Sequence, residues 1–301
     1  MNKRSLAILA AIGATTIYAL NHTIAKGVMP HYVKPFGFII FRVGGAALLF
    51  WLISIFGPKE RIEKKDYGRM LGCALLGMGI NMLVFFKGLS LSTPINSAVL
   101  VTTTPIIVLI FSAVFIKERI SGRKIFGISI GLLGASGLIL FSSEIRQDAP
   151  NIPLGNFLIL MNSVFYGSYL IIVRPLLDKY HPFTFMKWLF TLGILIVLPF
   201  GYQEFMQIDF VNLPTEAILS ILFVIIGTTF CTYLFNIFAL TQLRASTLSA
   251  FVYVQPLLGI GYAVLTGQDS LTTIKILAAC LVLLGVYLAS RKPKKTPPKE
   301  R

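Results

Sequence analysis

The chain has 301 residues, 55% of them hydrophobic and only 13% charged, with a mean hydropathy of +0.79. Soluble domains are about 45–50% apolar and about 25% charged, so the composition excludes a water-soluble core and indicates an integral membrane protein. The formal charge of +15 does not point to nucleic acid, because the basic residues fall in short loops and a tail between apolar runs, where membrane orientation accounts for them.

The start, MNKR and then an apolar run over 6–28, imitates a signal peptide. The run is too long for an ordinary signal core and similar runs follow it, so it reads as a retained first spanning helix. Further runs of spanning length, about 17–25 residues, fall near 35–56, 69–91, 95–116, 123–141, 154–177, 183–202, 216–240, 246–266 and 272–290. The expected fold is an all-α integral membrane protein of ten transmembrane helices. With the amino terminus inside, 20 of the 27 lysines and arginines lie on cytoplasmic segments. The outer loops proper hold only Lys34 and Arg146. Both termini are therefore expected in the cytoplasm, in a cell (inner) membrane. The polar stretch SSEIRQDAPNIP is expected to link two halves, 1–148 and 149–290, and the basic, proline-rich tail 291–301 to be disordered. Cys73, Cys231 and Cys280 lie in apolar runs without metal-ligand spacing. They read as small buried side chains, and neither a metal nor a cofactor is expected.

Two stretches carry most of the information about function. NSAVLVTTTPIIVLIFSAVFIKERISGRKIFGISIGLLGASGL (96–138) and TLSAFVYVQPLLGIGYAVLTGQDSLTTIKILAACLVLLGVYLA (247–289) share a skeleton at an offset of 151 positions. Pro105 matches Pro256, Glu118 matches Asp269, Lys124 matches Lys275 and Gly134 matches Gly285. Each proline lacks an amide hydrogen and crowds the preceding turn, so the carbonyls of Val101 and Val252 lose their usual partners. Prolines are common in membrane helices, but a matched pair beside polar runs marks interrupted helices at a transport site. An odd number of helices per half makes the second half enter the membrane from the opposite side. The KERISGRK turn would then lie inside, and its charge-depleted counterpart GQDSLTTIK outside, as in an inverted repeat.

The chain resembles the EamA-type branch of the drug/metabolite transporter superfamily over nearly all of 6–290. The resemblance rests on YALNHTIAKG, on PFGFIIFR ending in Arg42, and on NSAVLVTTTPIIVLIFSAVFIKER in the first half. In the second half it rests on GTTFCTYLFNIFAL and RASTLSAFVYVQPLLGIGYAVLTGQD. It implies two five-helix EamA repeats and alternating-access transport of a small organic solute, often export of amino acids or other metabolites, through a central cavity between the halves. The chain departs from the family pattern at Gln268 and Asp269, where a Gly-Glu pair is usual. It departs again at Tyr18-Ala19-Leu20-Asn21, where a tryptophan and a glycine often precede the asparagine.

Ionisable groups inside spans are functional candidates. Lys26, Lys87, Lys187 and Lys275 lie near helix ends and can snorkel. Arg42, two turns into its helix, either binds an anionic group or ties helices together through carbonyls. His22 either relays protons or contacts substrate, or is a hydrogen-bonded interior histidine. Asn21, Asn81, Asn162, Thr102, Thr103, Tyr166, Tyr169, Tyr253 and Gln255 lie near mid-membrane. They either orient a substrate or bond helices to one another. Glu118 and Asp269 begin loops on opposite sides and read as caps or gates. No Asp or Glu lies deep in a span, so a mid-membrane proton-coupling carboxylate is absent. With Arg42 and His22 the deepest ionisable groups, the cavity is expected to prefer a solute bearing a carboxylate. A channel-like facilitator or lipid-translocating protein fits the same fold. An intramembrane enzyme does not, for want of HExxH, GxSxG or an aspartate pair.

Overall fold

The structure, a computed structural model, describes residues 2–28, 32–92, 100–118, 120–140, 151–265 and 272–290. The described residues are helical throughout their regular parts. In chain order they form α1 (Lys3–Val28), α2 (Pro35–Ser54), α3 (Lys64–Leu91), α4 (Thr104–Phe115) and α5 (Gly122–Leu140). These are followed by α6 (Ile152–Ile172), α7 (Pro182–Met206), α8 (Thr215–Gln242), α9 (Val254–Leu265) and α10 (Thr273–Ser290). Six of these, α1–α3 and α6–α8, are long and apolar enough to cross a membrane, and shorter apolar helices cover Thr104–Phe115, Ala245–Leu258 and Ile276–Ala289. Leu277, Leu281, Leu283, Leu284 and Tyr287 on α10 are exposed, as are Leu48, Val114, Leu133 and Leu195 elsewhere. Such a surface is stable against lipid rather than water. The protein is an all-α, multi-pass membrane protein.

The helices pack in a reciprocal pattern. α5 lies along α10 and α2 along α7, while α3 packs on α6 and α8 packs on α1. Between α5 and α10 the backbones nearly touch: a Cβ added to Gly285 would meet the Gly131 nitrogen at 2.5 Å and the Gly127 oxygen at 2.6 Å. Without a hydrophobic drive between helices in lipid, this close approach of small residues is what holds such a pair. Polar cross-links support it elsewhere. Asn81 Nδ2 donates to the Asn162 carbonyl at 3.1 Å and Asn162 Nδ2 donates to the Asn81 carbonyl at 3.0 Å. Glu204 of α7 accepts from the Phe36 and Gly37 amides at 2.6 and 3.0 Å, capping the open first turn of α2.

The irregular backbone is concentrated in matching places. α3 and α8 are each 28 residues long, and each passes through a π-helical stretch, Leu75–Gly79 in one and Val224–Cys231 in the other. A turn at Thr102 and Thr103 precedes Pro105, and a 3₁₀ segment, Ser249–Tyr253, precedes Pro256. Both prolines thus stand in the first turn of a helix, where a missing amide costs nothing, and the interruption lies just ahead of them. Gly285→Ala should lower the melting temperature in detergent, by an overpacking cost of about 1–3 kcal/mol. Gly68→Ala, whose added methyl has no neighbour within 4 Å, should leave it unchanged or raise it.

Candidate functional site

α1, α6 and α8 converge on a narrow pocket lined by Tyr18, Tyr166, Tyr169, Leu170, Tyr233, Asn236, Ile237 and Leu240. Its open volume is about 10 Å³, room for a single water. Gly77 of α3 makes room for two of these tyrosines. The Tyr169 ring lies against Gly77, where any Cβ would come within 2.4 Å of it. The Tyr233 hydroxyl donates to the Gly77 carbonyl at 3.2 Å, inside the π-helical stretch of α3. The Tyr18 hydroxyl faces Thr232 and Asn236 of α8.

Arg42 borders this cluster, with Tyr233 and Tyr18 close enough to act on its charge. It is 7% exposed. Its Nε donates to Thr229 Oγ1 at 3.2 Å, and its guanidinium carbon sits 5.6 Å from the centre of the Phe86 ring. Thr229 Oγ1 in turn donates to the Val224 carbonyl at 2.8 Å, satisfying a backbone group in the π-helical stretch of α8. Among the described residues no carboxylate lies within ion-pair distance of Arg42.

The other expected site residues are scattered. Asn21 Oδ1 is buried without a partner, while the His22 side chain lies outside the described residues. The amide nitrogen of Asn81 is taken up by Asn162. Thr102 is buried, and the Thr103 hydroxyl turns back to the Leu100 carbonyl at 2.6 Å. Tyr253 is fully buried against Gly131 with its hydroxyl unpartnered, and Gln255 is half-buried at the start of α9. The structure therefore brings together Arg42, Tyr166 and Tyr169, and adds Tyr18, Thr229, Tyr233 and Asn236. The available signal for the last three was a run of polar residues, Thr228, Thr229, Thr232, Tyr233 and Asn236, at helical spacing in an otherwise apolar span.

A second cluster surrounds Glu118. Lys117 adopts a left-handed φ of 50°, and the Glu118 amide reaches back to the Ser112 carbonyl at 2.9 Å, closing the end of α4 with a left-handed turn. That turn aims Glu118 inward. Glu118 Oε1 accepts from Lys124 Nζ at 2.7 Å and Ser246 Oγ at 2.6 Å, with Arg244 at 3.7 Å, while Oε2 is buried without a partner. The cluster ties α4 and α5 to the segment leading into α9. Its counterpart Asp269 lies outside the described residues. A third network, between the start of α3 and the segment after α6, centres on Lys179, which pairs with Glu63 at 2.7 Å and Asp66 at 2.5 Å. Hydrogen bonding to Lys179, then to Lys65, holds the Glu63 carboxyl below its ordinary range. Desolvation pulls Lys179 down, but hydrogen bonds to Asp66, Glu63 and Tyr180 outweigh it and raise the group. This tie is therefore intact at neutral pH and is lost only as acid passes the lowered Glu63 value or alkali the raised Lys179 value.

The sequence model of the EamA-like transporter family matches the chain twice, over residues 5–140 and 153–291. The chain belongs to the EamA-like transporter family. An uncharacterized transporter of Archaeoglobus fulgidus is 29% identical over 261 residues, covering 87% of this chain and 90% of its own. YoaV, an uncharacterized transporter of Bacillus subtilis, is 24% identical over 93% of this chain and 95% of its own. A protein of known crystal structure shares the fold with a TM-score of 0.77 at 18% identity, over 95% of this chain and 96% of that one. Like its EamA relatives this protein is a transporter in a lipid bilayer, not an enzyme.

Removing Glu118 strands Lys124, whose side chain is 8% exposed. Glu118→Ala should therefore destabilise the protein by about 3–5 kcal/mol in detergent unfolding, and adding Lys124→Met should recover much of that loss.

Proposed function

We propose that the protein moves small organic metabolites bearing a carboxylate, such as amino acids or related acids, outward across the cell (inner) membrane by alternating access. Residues 1–148 and 149–290 act as two five-helix repeats, ten spans in all, inserted with opposite orientation. Both termini, with the basic tail 291–301, lie in the cytoplasm. The repeat reading is supported by the equal lengths of α3 and α8, by their π-helical stretches at the same register, and by the reciprocal packing of α3 on α6 and α8 on α1. The direction of movement follows the family resemblance.

One observation carries the substrate class. Arg42 is a buried guanidinium with no described acid beside it. A charge at membrane depth costs about 2.5–3.5 kcal/mol on insertion scales, and arginine cannot shed its proton to avoid that cost. A solute carboxylate supplies the missing partner. Glu118, held by Lys124 and Ser246, acts as the gate that shuts the cytoplasmic end, with Asp269 its counterpart outside.

Proteoliposome flux with a panel of amino acids, organic acids and cationic drugs tests this. Carboxylate-bearing solutes should show saturable flux that Arg42→Gln lowers by about 30-fold or more, as expected when a buried charge partner is removed. A panel in which cationic drugs win and carboxylates fail overturns the substrate class. Flux that never saturates replaces the carrier with a channel-like facilitator.

A further inference from the structure

We infer that Thr229 is a positioning residue that aims Arg42 end-on at a single carboxylate, so that the site takes acids with a flat or apolar body. The inference rests on the anionic reading of Arg42 given above. A guanidinium can meet a carboxylate along two edges, the Nε side or the Nη1–Nη2 end. Here Thr229 Oγ1 occupies the Nε side at 3.2 Å, and the Phe86 ring covers one face at 5.6 Å. Thr229 is itself fixed by its bond to the Val224 carbonyl at 2.8 Å and is completely buried, so the guanidinium cannot swing without breaking that chain.

The Nη end is left over. It makes no hydrogen bond to a described residue, and its atoms are not among the sealed, unpartnered ones such as Asn21 Oδ1 and Thr228 Oγ1. Two parallel N–H groups without an acceptor among the described residues match the two oxygens of one carboxylate. The neighbouring walls decide what the rest of the solute is. Tyr18 and Tyr233 adjoin both Arg42 and the pocket, and Tyr166 and Tyr169 complete it with ring centres 6.1 Å apart. Flat faces with polar tips favour an aromatic or branched apolar body over a second charge.

The probes are phenylacetate and its neutral near-isostere phenylacetamide, with affinity read from the ligand-induced rise in melting temperature of the purified protein. In the unmodified protein the acid should bind about tenfold tighter than the amide, the advantage of a hydrogen bond to a charged group. Thr229→Val keeps the shape and removes the hydroxyl, and the acid should lose most of that advantage while amide affinity holds. Thr229→Ser keeps the hydroxyl and should keep the preference. A purely structural role for Thr229 at the π-helical stretch would lower the melting temperature without changing the acid-to-amide ratio. A ratio unchanged in Thr229→Val, or lost in Thr229→Ser, overturns the positioning role and leaves the anionic reading intact. An unmodified protein that does not prefer the acid overturns both.

Discussion

Hydrocarbon offers no hydrogen bonds, so every backbone carbonyl and every charge inside a bilayer needs a partner supplied by the protein or by something it carries. That constraint orders this structure. The regular helices satisfy themselves and turn leucine and isoleucine side chains outward. The irregular stretches, Leu75–Gly79, Val224–Cys231 and Ser249–Tyr253, are turned toward other helices, where side chains can reach the freed groups. Thr229 reaches the Val224 carbonyl and Tyr233 reaches Gly77. Arg42 is a deeply buried guanidinium with no carboxylate beside it among the described residues, and the proposed substrate class rests on it.

One helix connects the binding region to the Glu118 cluster. α8 brings Thr229 to Arg42 and Tyr233 to the pocket, and the carbonyls of Leu240 near its end and Leu243 just beyond it accept from Arg174 at 2.9 and 3.0 Å. The chain then continues through Arg244 and Ser246, both of which reach Glu118. A shift of α8 by part of a turn would be felt at both places. π-helical stretches are where a helix absorbs such a shift with little loss, since each already holds one residue more than the regular turn.

Much of this was legible in the sequence, for reasons that can be named. Span limits follow from hydropathy, and most helices begin and end within a few residues of the expected runs, whereas α4 and α9 begin only at Thr104 and Val254, well inside the expected 95–116 and 246–266. α7 is a partial exception, since it carries on through Pro199 to Met206. Arg42 and Glu118 were visible because a charge in or beside an apolar run is costly. The partners were not visible. Asn81 read as a substrate contact, yet its amide is engaged by Asn162, 81 residues away, and such pairings depend on helix rotation, which a uniformly apolar span does not encode. Tyr18, Thr229 and Tyr233 were hidden for the same reason: tyrosine and threonine are ordinary residues in membrane helices until packing turns them onto a common point. Lys124 stood out through its match to Lys275, but its burial against Ser246 depends on the turn at Lys117.

The central claim is that two halves of opposite orientation close around a solute path. Sided labelling tests it most directly. With Cys73, Cys231 and Cys280 replaced, single cysteines at Ser121 and Thr272 are exposed to a membrane-impermeant maleimide in sealed, oriented vesicles. Opposed halves predict that Ser121→Cys reacts from the cytoplasmic side only and Thr272→Cys from the outer side only. Reaction of both positions from the same side would contradict the account.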